Sequence, residues 1–334
     1  MVRSAGALIV ILLLPRGLLA TTVTEVHYVM GTYFQATVEH LDPEQARRAM
    51  RTCFATARRF DELFSRFDPV SELSQVNGST DAPSTRVSSE MATLLTRALE
   101  LRQVTHGAFD VSVGALTSLW RTAGEWPAPD AVSRARASAG EGSFSLTAST
   151  LTRRPGVRID LDGVAKGWAI DHCAAQLRAA GITRAFLSLG ESSLYALGAP
   201  AGMPGWVVEL RATDGTATLG TLQLRDQALS VSAVFGHEWQ IGGRRVGHIV
   251  DPRTGYPLTT AGMAVVVAAS ATDAEALSKA LLVHGDPQLP RRTRGGPVHG
   301  ALLVRPDGVR RRGHVRFTPY VASHVLTADA EPLR

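Results

Sequence analysis

A short, turn-rich stretch in the second half of the chain carries residue types that suit acid–base chemistry. Its sequence is GHIVDPRTGYPL, residues 247–258, and it combines His248 and Asp251 with the turn residues proline and glycine. A neutral imidazole in such a turn can take the proton of an attacking hydroxyl or orient that hydroxyl. The residue types alone leave the role of His248 open. A histidine that only hydrogen-bonds its own loop is the structural alternative.

A serine hydrolase is the generic competitor for a histidine that lies beside an aspartate. The chain contains no G-x-S-x-G motif, and His248 and Asp251 stand too close in sequence to be typical partners in a Ser-His-Asp triad. The sequence therefore disfavours this class of enzyme.

A glycine-containing stretch with one lysine is suited to an anion. It is IDLDGVAKGWAID, residues 159–171, in which backbone N–H groups at a helix start and the ammonium of Lys166 favour a phosphate group. The stretch does not match the P-loop pattern, so a nucleoside triphosphate site of that kind is excluded. A solvated Lys166 is the alternative.

The segment ATDAEALSKALLVHG, residues 271–285, has helical spacing and carries charged residues. Glu275 and Lys279 stand four apart, in the order that favours an ion pair along a helix. Such a pair either brings charge to a site or lies on a solvated helix surface. The sequence leaves both alternatives open.

Further motifs occur in a fixed order along the chain. They are VMGTYF with FSRFDPVSELSQVNGS, then HGAFDVSVGALTSLW, then IDLDGVAKGWAIDH, and finally the segments that contain His248 and Glu275. Taken together they resemble the ApbE-type FAD:protein FMN transferases, over residues 26–290. The resemblance implies an enzyme that moves FMN from FAD onto a threonine or serine of a partner protein and releases AMP. It also implies that His248 is the catalytic residue, close to the reacting phosphate.

The resemblance also implies which residues contact FAD. Phe67 would stack near the adenine, Asp110 would accept a hydrogen bond, and Asp160 and Lys166 would bracket the cofactor, with the lysine beside the diphosphate. Met30 and Phe67 as ordinary core residues are the alternatives. The full set of implied binding positions is Met30, Gly31, Thr32, Phe67, Gly107, Ala108, Phe109, Asp110, Asp160, Lys166 and Ile249.

The family's magnesium site is altered in this sequence. The resemblance implies a carbonyl ligand near Gly163 and two side-chain ligands, an aspartate and a threonine, at the positions of Glu275 and Lys279. A protonated lysine has no lone pair for a metal. Magnesium is therefore doubtful, and the ammonium of Lys279 is a candidate replacement for it. Asp273 is a fallback ligand only if the alignment slips.

Two other departures affect the expected activity. Glu191 stands where the family's L-G-G motif has a glycine, and Ala233 replaces a glycine in SVSAV. A carboxylate near a diphosphate is repelled by it unless a cation intervenes. The alternatives to the transferase are thus a catalytically degenerate flavin-binding or interaction module of the same fold, and an FAD diphosphatase that uses water.

The elements that must position these residues alternate between helices and strands without a βαβ rhythm. This order predicts an α+β fold with mixed or antiparallel sheets. The predicted elements are a strand over 23–40 broken at Gly31, helices over 42–67 (capped by Asp42), 88–107, 163–181 and 271–285, buried or alternating strands over 183–190 and 195–270, a loop over 121–143, and late strands at 300–305 and 315–321.

The sequence shows no internal repeat and no low-complexity linker beyond the loop over 121–143, which favours a single catalytic unit. The chain has 334 residues, of which 45% are hydrophobic and 19% charged, enough for one large domain or two closely joined halves. Residues 1–20 have the basic start, apolar run and small residues of a secretory signal peptide, and 21–334 would form one ApbE-like domain. An uncleaved anchor is the alternative, although the apolar run is short for a bilayer span.

The expected compartment is the periplasm, and the expected partner is a flavin-accepting protein in a membrane electron-transfer complex. Cys53 and Cys173 are the only cysteines, which leaves open one disulfide or two buried thiols. The net charge of +5 is concentrated late in the chain, without a nucleic-acid-binding motif. No nucleic acid is expected as a partner.

Overall fold

A computed structural model describes residues 21–79, 83–212, 218–286, 289–306, 308–313 and 317–319. The predicted signal peptide, residues 1–20, lies outside these described residues. Across the described ranges, no helix combines the length and the apolar character that crossing a membrane requires.

The described residues form seven named helices and seventeen named strands. The helices are α1 (Pro43–Phe64), α2 (Glu72–Gly78), α3 (Ser89–Val104), α4 (Gly114–Thr122), α5 (Pro129–Ala137), α6 (Ala165–Ala179) and α7 (Ala271–His284). The strands are β1 (Thr21–Val29), β2 (Thr32–His40), β3 (Ser84–Arg86), β4 (Phe144–Thr147), β5 (Thr150–Arg153), β6 (Ala185–Leu189), β7 (Ser193–Leu197), β8 (Trp206–Arg211), β9 (Thr218–Leu224), β10 (Gln227–Ala233), β11 (Glu238–Ile241), β12 (Arg244–Gly247), β13 (Met263–Ala268), β14 (Arg292–Thr293), β15 (Gly296–Arg305), β16 (Gly308–Gly313) and β17 (Phe317–Pro319).

The centre of the fold is a nine-stranded sheet. Its order is β1-β2-β6-β7-β10-β13-β15-β14, and β16 also pairs with β15. Each neighbouring pair is antiparallel. The predicted α+β class with antiparallel sheets is therefore confirmed, as is the buried strand predicted over 183–190, which is β6.

Both faces of the central sheet are covered, and this explains why β6, β7 and β13 are buried at every position. Successive side chains of a strand point to opposite faces. Phe186 of β6 belongs to a core that includes Trp206 of the small sheet β8-β9-β17, with the two rings 5.6 Å apart. Its neighbour Leu187 belongs to the core that contains the buried faces of α1, α6 and α7.

Helix termini agree with the sequence signals. Asp42 caps α1 by accepting hydrogen bonds from the backbone N–H groups of Glu44 and Gln45, as predicted. Gly285 ends α7 in the left-handed conformation at φ 72°. The predicted helix over 271–285 is thus confirmed with well-defined ends.

Two local predictions are wrong. The strand over 23–40 is not one strand with a bulge but the hairpin β1-β2, whose turn consists of Met30 (φ 53°) and Gly31 (φ 71°). The predicted loop over 121–143 contains α5, because Pro129 favours a helix start and Val132 packs in a core with Trp120. A nine-residue helix with one buried side chain leaves little periodicity to detect.

Cys53 of α1 and Cys173 of α6 form a disulfide bond, with their Cα atoms 4.8 Å apart. Both cysteines are buried in the main core. This settles the question that the sequence left open. The bond fixes α1 against α6, and α6 is the helix that carries Lys166.

Candidate active site

The site is organised by a close approach between α6 and α7. Gly167 lies in the first turn of α6, and its backbone N–H donates to Oε2 of Glu275 on α7 at 2.7 Å. A Cβ atom at Gly167 would lie only 2.4 Å from the carbonyl oxygen of Ala271. Glycine is therefore required here, and its unpaired first-turn N–H holds the Glu275 carboxylate.

Two lysines converge on the same carboxylate oxygen. Nζ of Lys166 lies 3.1 Å from Oε1 of Glu275, and Nζ of Lys279 lies 3.6 Å from that oxygen. Glu275 is 1% exposed, and the two lysine side chains are 25% and 21% exposed. The Glu275–Lys279 pair is thus part of an interior charge cluster, not a solvated helix surface.

Burial opposes the charged forms in this cluster, and the ion pairs restore them in part. Burial alone would raise the pKa of Glu275, but Lys166 and Lys279 hold that pKa below its usual value. Burial likewise disfavours the charged Lys166, while Glu275 raises the pKa of that lysine. Burial lowers the pKa of Lys279 to about 8, with Lys166 adding to the shift, so both ammoniums are charged at pH 7.

Gly163 makes room for the aliphatic part of Lys279. A Cβ at Gly163 would lie 3.1 Å from Cε2 of Phe109 and 3.2 Å from Cδ of Lys279. The lysine side chain therefore runs past Gly163 next to the buried Phe109 ring. Three predicted site positions from separate motifs meet at this point.

An arginine that the sequence analysis did not single out binds the acidic loop before α6. Arg66 contacts Asp160 at 2.5 Å and Asp162 at 2.6 Å through its two terminal nitrogens. The hydroxyl of Thr117 donates to the same oxygen of Asp160 at 2.7 Å. Asp160 is buried and is held by Arg66 and Thr117, whereas the side chain of Asp162 is 48% exposed at the edge of the site.

Phe67 is an exposed aromatic residue at this rim. Its side chain is 71% exposed, which rules out the alternative of an ordinary core residue. The guanidinium carbon of Arg66 lies 4.8 Å from the ring centre, and that of Arg121 lies 5.5 Å from it. An exposed ring between two cations is suited to stack on a flat heterocycle.

His248 follows β12 in a turn that closes on itself. The Gly247 N–H donates to the carbonyl of Leu258 at 2.9 Å, and the Leu258 N–H donates to the carbonyl of Ile249 at 2.8 Å. The imidazole packs edge-on against His237, with ring centres 5.8 Å apart. Within the described part of the chain, its buried Nδ1 atom has no hydrogen-bond partner.

The electrostatic surroundings keep His248 neutral. Burial is the largest cause, and the neighbouring His237, Lys279 and Lys166 add to it, lowering the pKa of His248 to about 4. The charges of both lysines thus act on the imidazole. A neutral ring with one unpaired nitrogen can accept a proton.

The remaining predicted positions lie in two other places. At the β1-β2 turn, the Met30 N–H donates to Asp61 at 2.7 Å, and a Cβ at Gly190 would lie 3.1 Å from Cγ2 of Thr32. Glu191 follows in the β6-β7 turn at φ 56°. The M-G-T and L-G-E motifs, 159 residues apart in the sequence, are therefore neighbours in space.

Asp110 is buried among protein donors. Its carboxylate accepts hydrogen bonds from Nε of Arg102 at 2.8 Å and from Oγ of Ser112 at 2.6 Å. Ala108 and Ile249 are buried, and Gly107 takes a left-handed φ of 77°. Asp110 is a hydrogen-bond acceptor, as predicted. In this structure its donors are nearby groups of the protein itself.

Asp273 does not replace Glu275. It is 1% exposed and accepts hydrogen bonds from Nε of Arg97 at 3.0 Å and from the hydroxyl of Thr293. The alternative of Asp273 as the ligand in place of Glu275 is therefore wrong, because Glu275 is the carboxylate that faces Lys166.

The donor set at the family's metal position does not fit a divalent cation. The two oxygens of Glu275 already contact Gly167 and the lysines, and Lys279 presents an ammonium. Magnesium requires several oxygen ligands in near-octahedral order. Over the described ranges, no group of three or more His, Cys, Asp or Glu side chains is arranged to hold a metal ion.

The chain is similar to a known protein family over most of its length. The profile of the ApbE family matches residues 30–296. A FAD:protein FMN transferase of Rhodobacter capsulatus is 31% identical over 300 residues, which is 86% of this chain and 56% of that protein. One from Klebsiella pneumoniae (strain 342) is 29% identical over 268 residues, 77% of each chain.

Solved structures share the fold. The flavin transferase ApbE from Vibrio cholerae superposes with a TM-score of 0.75 at 24% identity, covering 87% of this chain and 96% of that one. The ApbE protein of Thermotoga maritima gives 0.75 at 23% identity, covering 89% and 97%. The match to the family profile, the order of the motifs and the shared architecture show that this chain belongs to the ApbE family.

Proposed function

We propose that this protein transfers FMN from FAD to a threonine or serine hydroxyl of a partner protein, with release of AMP. Relatives that match most of the chain bear the name FAD:protein FMN transferase. The observation that carries the proposal is a neutral His248 within the electrostatic reach of two ammoniums, Lys166 and Lys279. A group that accepts the proton of the attacking hydroxyl and cations that bind the phosphates are two recurring features of phosphoryl-transfer sites.

His248 would take the proton of the attacking hydroxyl. The acceptor oxygen bonds to the phosphorus of the FMN half, the bond from that phosphorus to the bridging oxygen breaks, and AMP leaves with that oxygen. Nδ1 of His248 is buried and has no hydrogen-bond partner, and the ring is uncharged near neutral pH, so this nitrogen can take a proton once the acceptor hydroxyl reaches it. Its edge-on packing against His237 holds the ring in place.

The lysines and the exposed ring would bind the two ends of the dinucleotide. Lys166 and Lys279 face the charge that builds up on the diphosphate, where fixed cations lower the barrier. Phe67, flanked by Arg66 and Arg121, offers a stacking surface for the adenine. Together they support FAD rather than a mononucleotide as substrate.

The proposed acceptor is a flavin-carrying subunit of a membrane electron-transfer complex, and the proposed compartment is the periplasm. The signal-like sequence of residues 1–20 supports export. The Cys53–Cys173 bond supports an oxidising environment, because disulfides persist mainly outside the cytosol. Magnesium has no step in the proposal, since the donors at Glu275 and Lys279 do not fit it.

The test is to incubate the purified protein with FAD and a threonine-bearing acceptor, and to measure AMP together with covalent flavin fluorescence of the acceptor band. We expect AMP and adduct to appear together, and both to be lost in His248→Gln. AMP without adduct would establish an FAD diphosphatase instead. Bound FAD with neither product would establish a flavin-binding module.

A further inference from the structure

We propose that Lys279, acting with Lys166, supplies the positive charge that the family resemblance assigns to a magnesium ion, so that this protein binds FAD without a metal. The proposal rests on the proposed function for the identity of the ligand. It concerns binding of the diphosphate group, which can be measured separately from transfer.

The composition singles out these two side chains. Of the 35 lysines and arginines in the chain, only Lys166 and Lys279 are lysines. The structure brings both to one carboxylate oxygen, although they lie on different helices. An ammonium is a compact point charge, whereas a guanidinium is broad and planar. In a chain that otherwise uses arginine, the two lysines lie together beside Glu275, at the position where the family resemblance implies a magnesium ion.

The charge balance of the cluster favours an anion. Two ammoniums share the single carboxylate of Glu275, which leaves one positive charge in excess. The nearby carboxylates Asp160 and Asp162 share Arg66, at 2.5 and 2.6 Å, and both also interact with the charge of Arg121, so these two acids and two arginines balance. A diphosphate group is the part of FAD that would neutralise this excess.

The hydrogen-bonding capacity of Lys279 is only partly used. Its Nζ contacts the backbone carbonyl of Glu275 at 3.3 Å and the Oε1 atom at 3.6 Å, both of which are long. An ammonium carries three N–H donors. Gly163 lets the side chain of Lys279 extend past Phe109, and packing against these two residues limits where the ammonium can lie.

The first experiment measures FAD affinity by flavin fluorescence in chelator and in magnesium. For the wild-type protein we expect the same affinity in both buffers. Lys279→Met, which keeps the aliphatic length, should weaken binding by about 10- to 100-fold in both buffers. Arg294→Met removes a charge from a side chain that is 76% exposed, and it should leave the affinity unchanged.

The paired change Glu275→Asp with Lys279→Thr should make FAD binding depend on magnesium, because it restores two oxygen ligands. Equal affinity of that variant and the wild type in chelator would overturn the proposal. A wild-type affinity that rises about tenfold or more on adding magnesium would also overturn it.

A second measurement needs no variant. Since the chain has only two lysines, an amine-acetylating reagent modifies few sites, and mass spectrometry resolves each one. Saturating FAD in chelator should slow acetylation of Lys279 by about tenfold or more. Unchanged acetylation with FAD bound would contradict the proposal.

The two proposals fail separately. FAD that binds in chelator but never reaches an acceptor would contradict the transferase and leave the role of Lys279 supported. Transfer that proceeds only with magnesium would contradict the role of Lys279 and leave the transferase supported. Absence of FAD binding in both buffers would overturn both.

Discussion

Nζ of Lys166 and Oε1 of Glu275 lie 3.1 Å apart, beside the close approach of α6 to α7 at Gly167. The same carboxylate receives the Gly167 N–H and lies near the Lys279 ammonium. One buried acid therefore ties two helices together and gathers the two lysines. Fold stability and the proposed binding of FAD therefore involve the same group.

Glu275→Ala should destabilise the protein by about 3 to 5 kcal/mol, because it leaves two largely buried ammoniums without a carboxylate. Equilibrium unfolding in urea measures the change. Glu62→Ala, an exposed position on α1, is the matched control and should change stability by about 0.5 kcal/mol or less. Equal effects of the two changes would show that the cluster contributes nothing to stability.

Gly167→Ala should separate α6 from α7, because the added Cβ would lie 2.4 Å from the Ala271 carbonyl oxygen. We expect a loss of about 1 to 3 kcal/mol in the free energy of unfolding, together with weaker FAD binding. Gly78→Ala is the matched control, since a Cβ there meets nothing within 4 Å. A Gly167→Ala protein as stable as the control would contradict the close helix contact.

His248 should make the free energy of unfolding depend on pH. Its pKa is about 4 in the folded protein and 6.5 when unperturbed, so the unfolded chain binds the proton first as the pH falls. The stabilisation is present above pH 6.5 and is lost as the pH falls towards 4. At about 1.4 kcal/mol per pKa unit, the loss is about 3 kcal/mol.

The measurement compares wild type with His248→Gln by urea unfolding between pH 7 and pH 4. The variant should lack this part of the pH dependence, while the charges of Lys166 and Lys279 and the His237 ring remain as its neighbours. Identical pH profiles would mean that His248 titrates normally in the folded protein.

The Cys53–Cys173 bond closes a loop of 120 residues. Loss of a bridge over such a loop costs about 4 to 5 kcal/mol in the chain-entropy description. Reductant should therefore lower the urea midpoint of the wild-type protein. The Cys53→Ala, Cys173→Ala variant should be equally destabilised and insensitive to reductant, and a reductant-insensitive wild type would contradict the bond.

Features with strong local causes could be predicted from the sequence. The Asp42 cap, the glycine end of α7 and the mostly apolar run of β6 each act over a few residues. The β1-β2 turn was missed because Met30 takes φ 53°, a conformation that methionine rarely adopts. Its backbone N–H is instead held by Asp61, 31 residues later.

The sequence indicates the motifs that form the candidate site, but it does not indicate which of their side chains contact one another. His248, Lys166 and Glu275 stand in recognisable stretches, whereas the contact of Arg66 with Asp160 joins residues 94 apart. Nothing local distinguishes Arg66 or Arg121 from the many other arginines of this chain. Such partners become visible only when the fold brings them together.

The most direct test of FMN transfer is the intact mass of an acceptor after incubation with FAD and this protein. We predict that a threonine-bearing acceptor gains the mass of one FMN unit, with one AMP released per adduct, and that its Thr→Ala form gains nothing. An acceptor that stays unmodified while FAD is bound or hydrolysed would contradict the account.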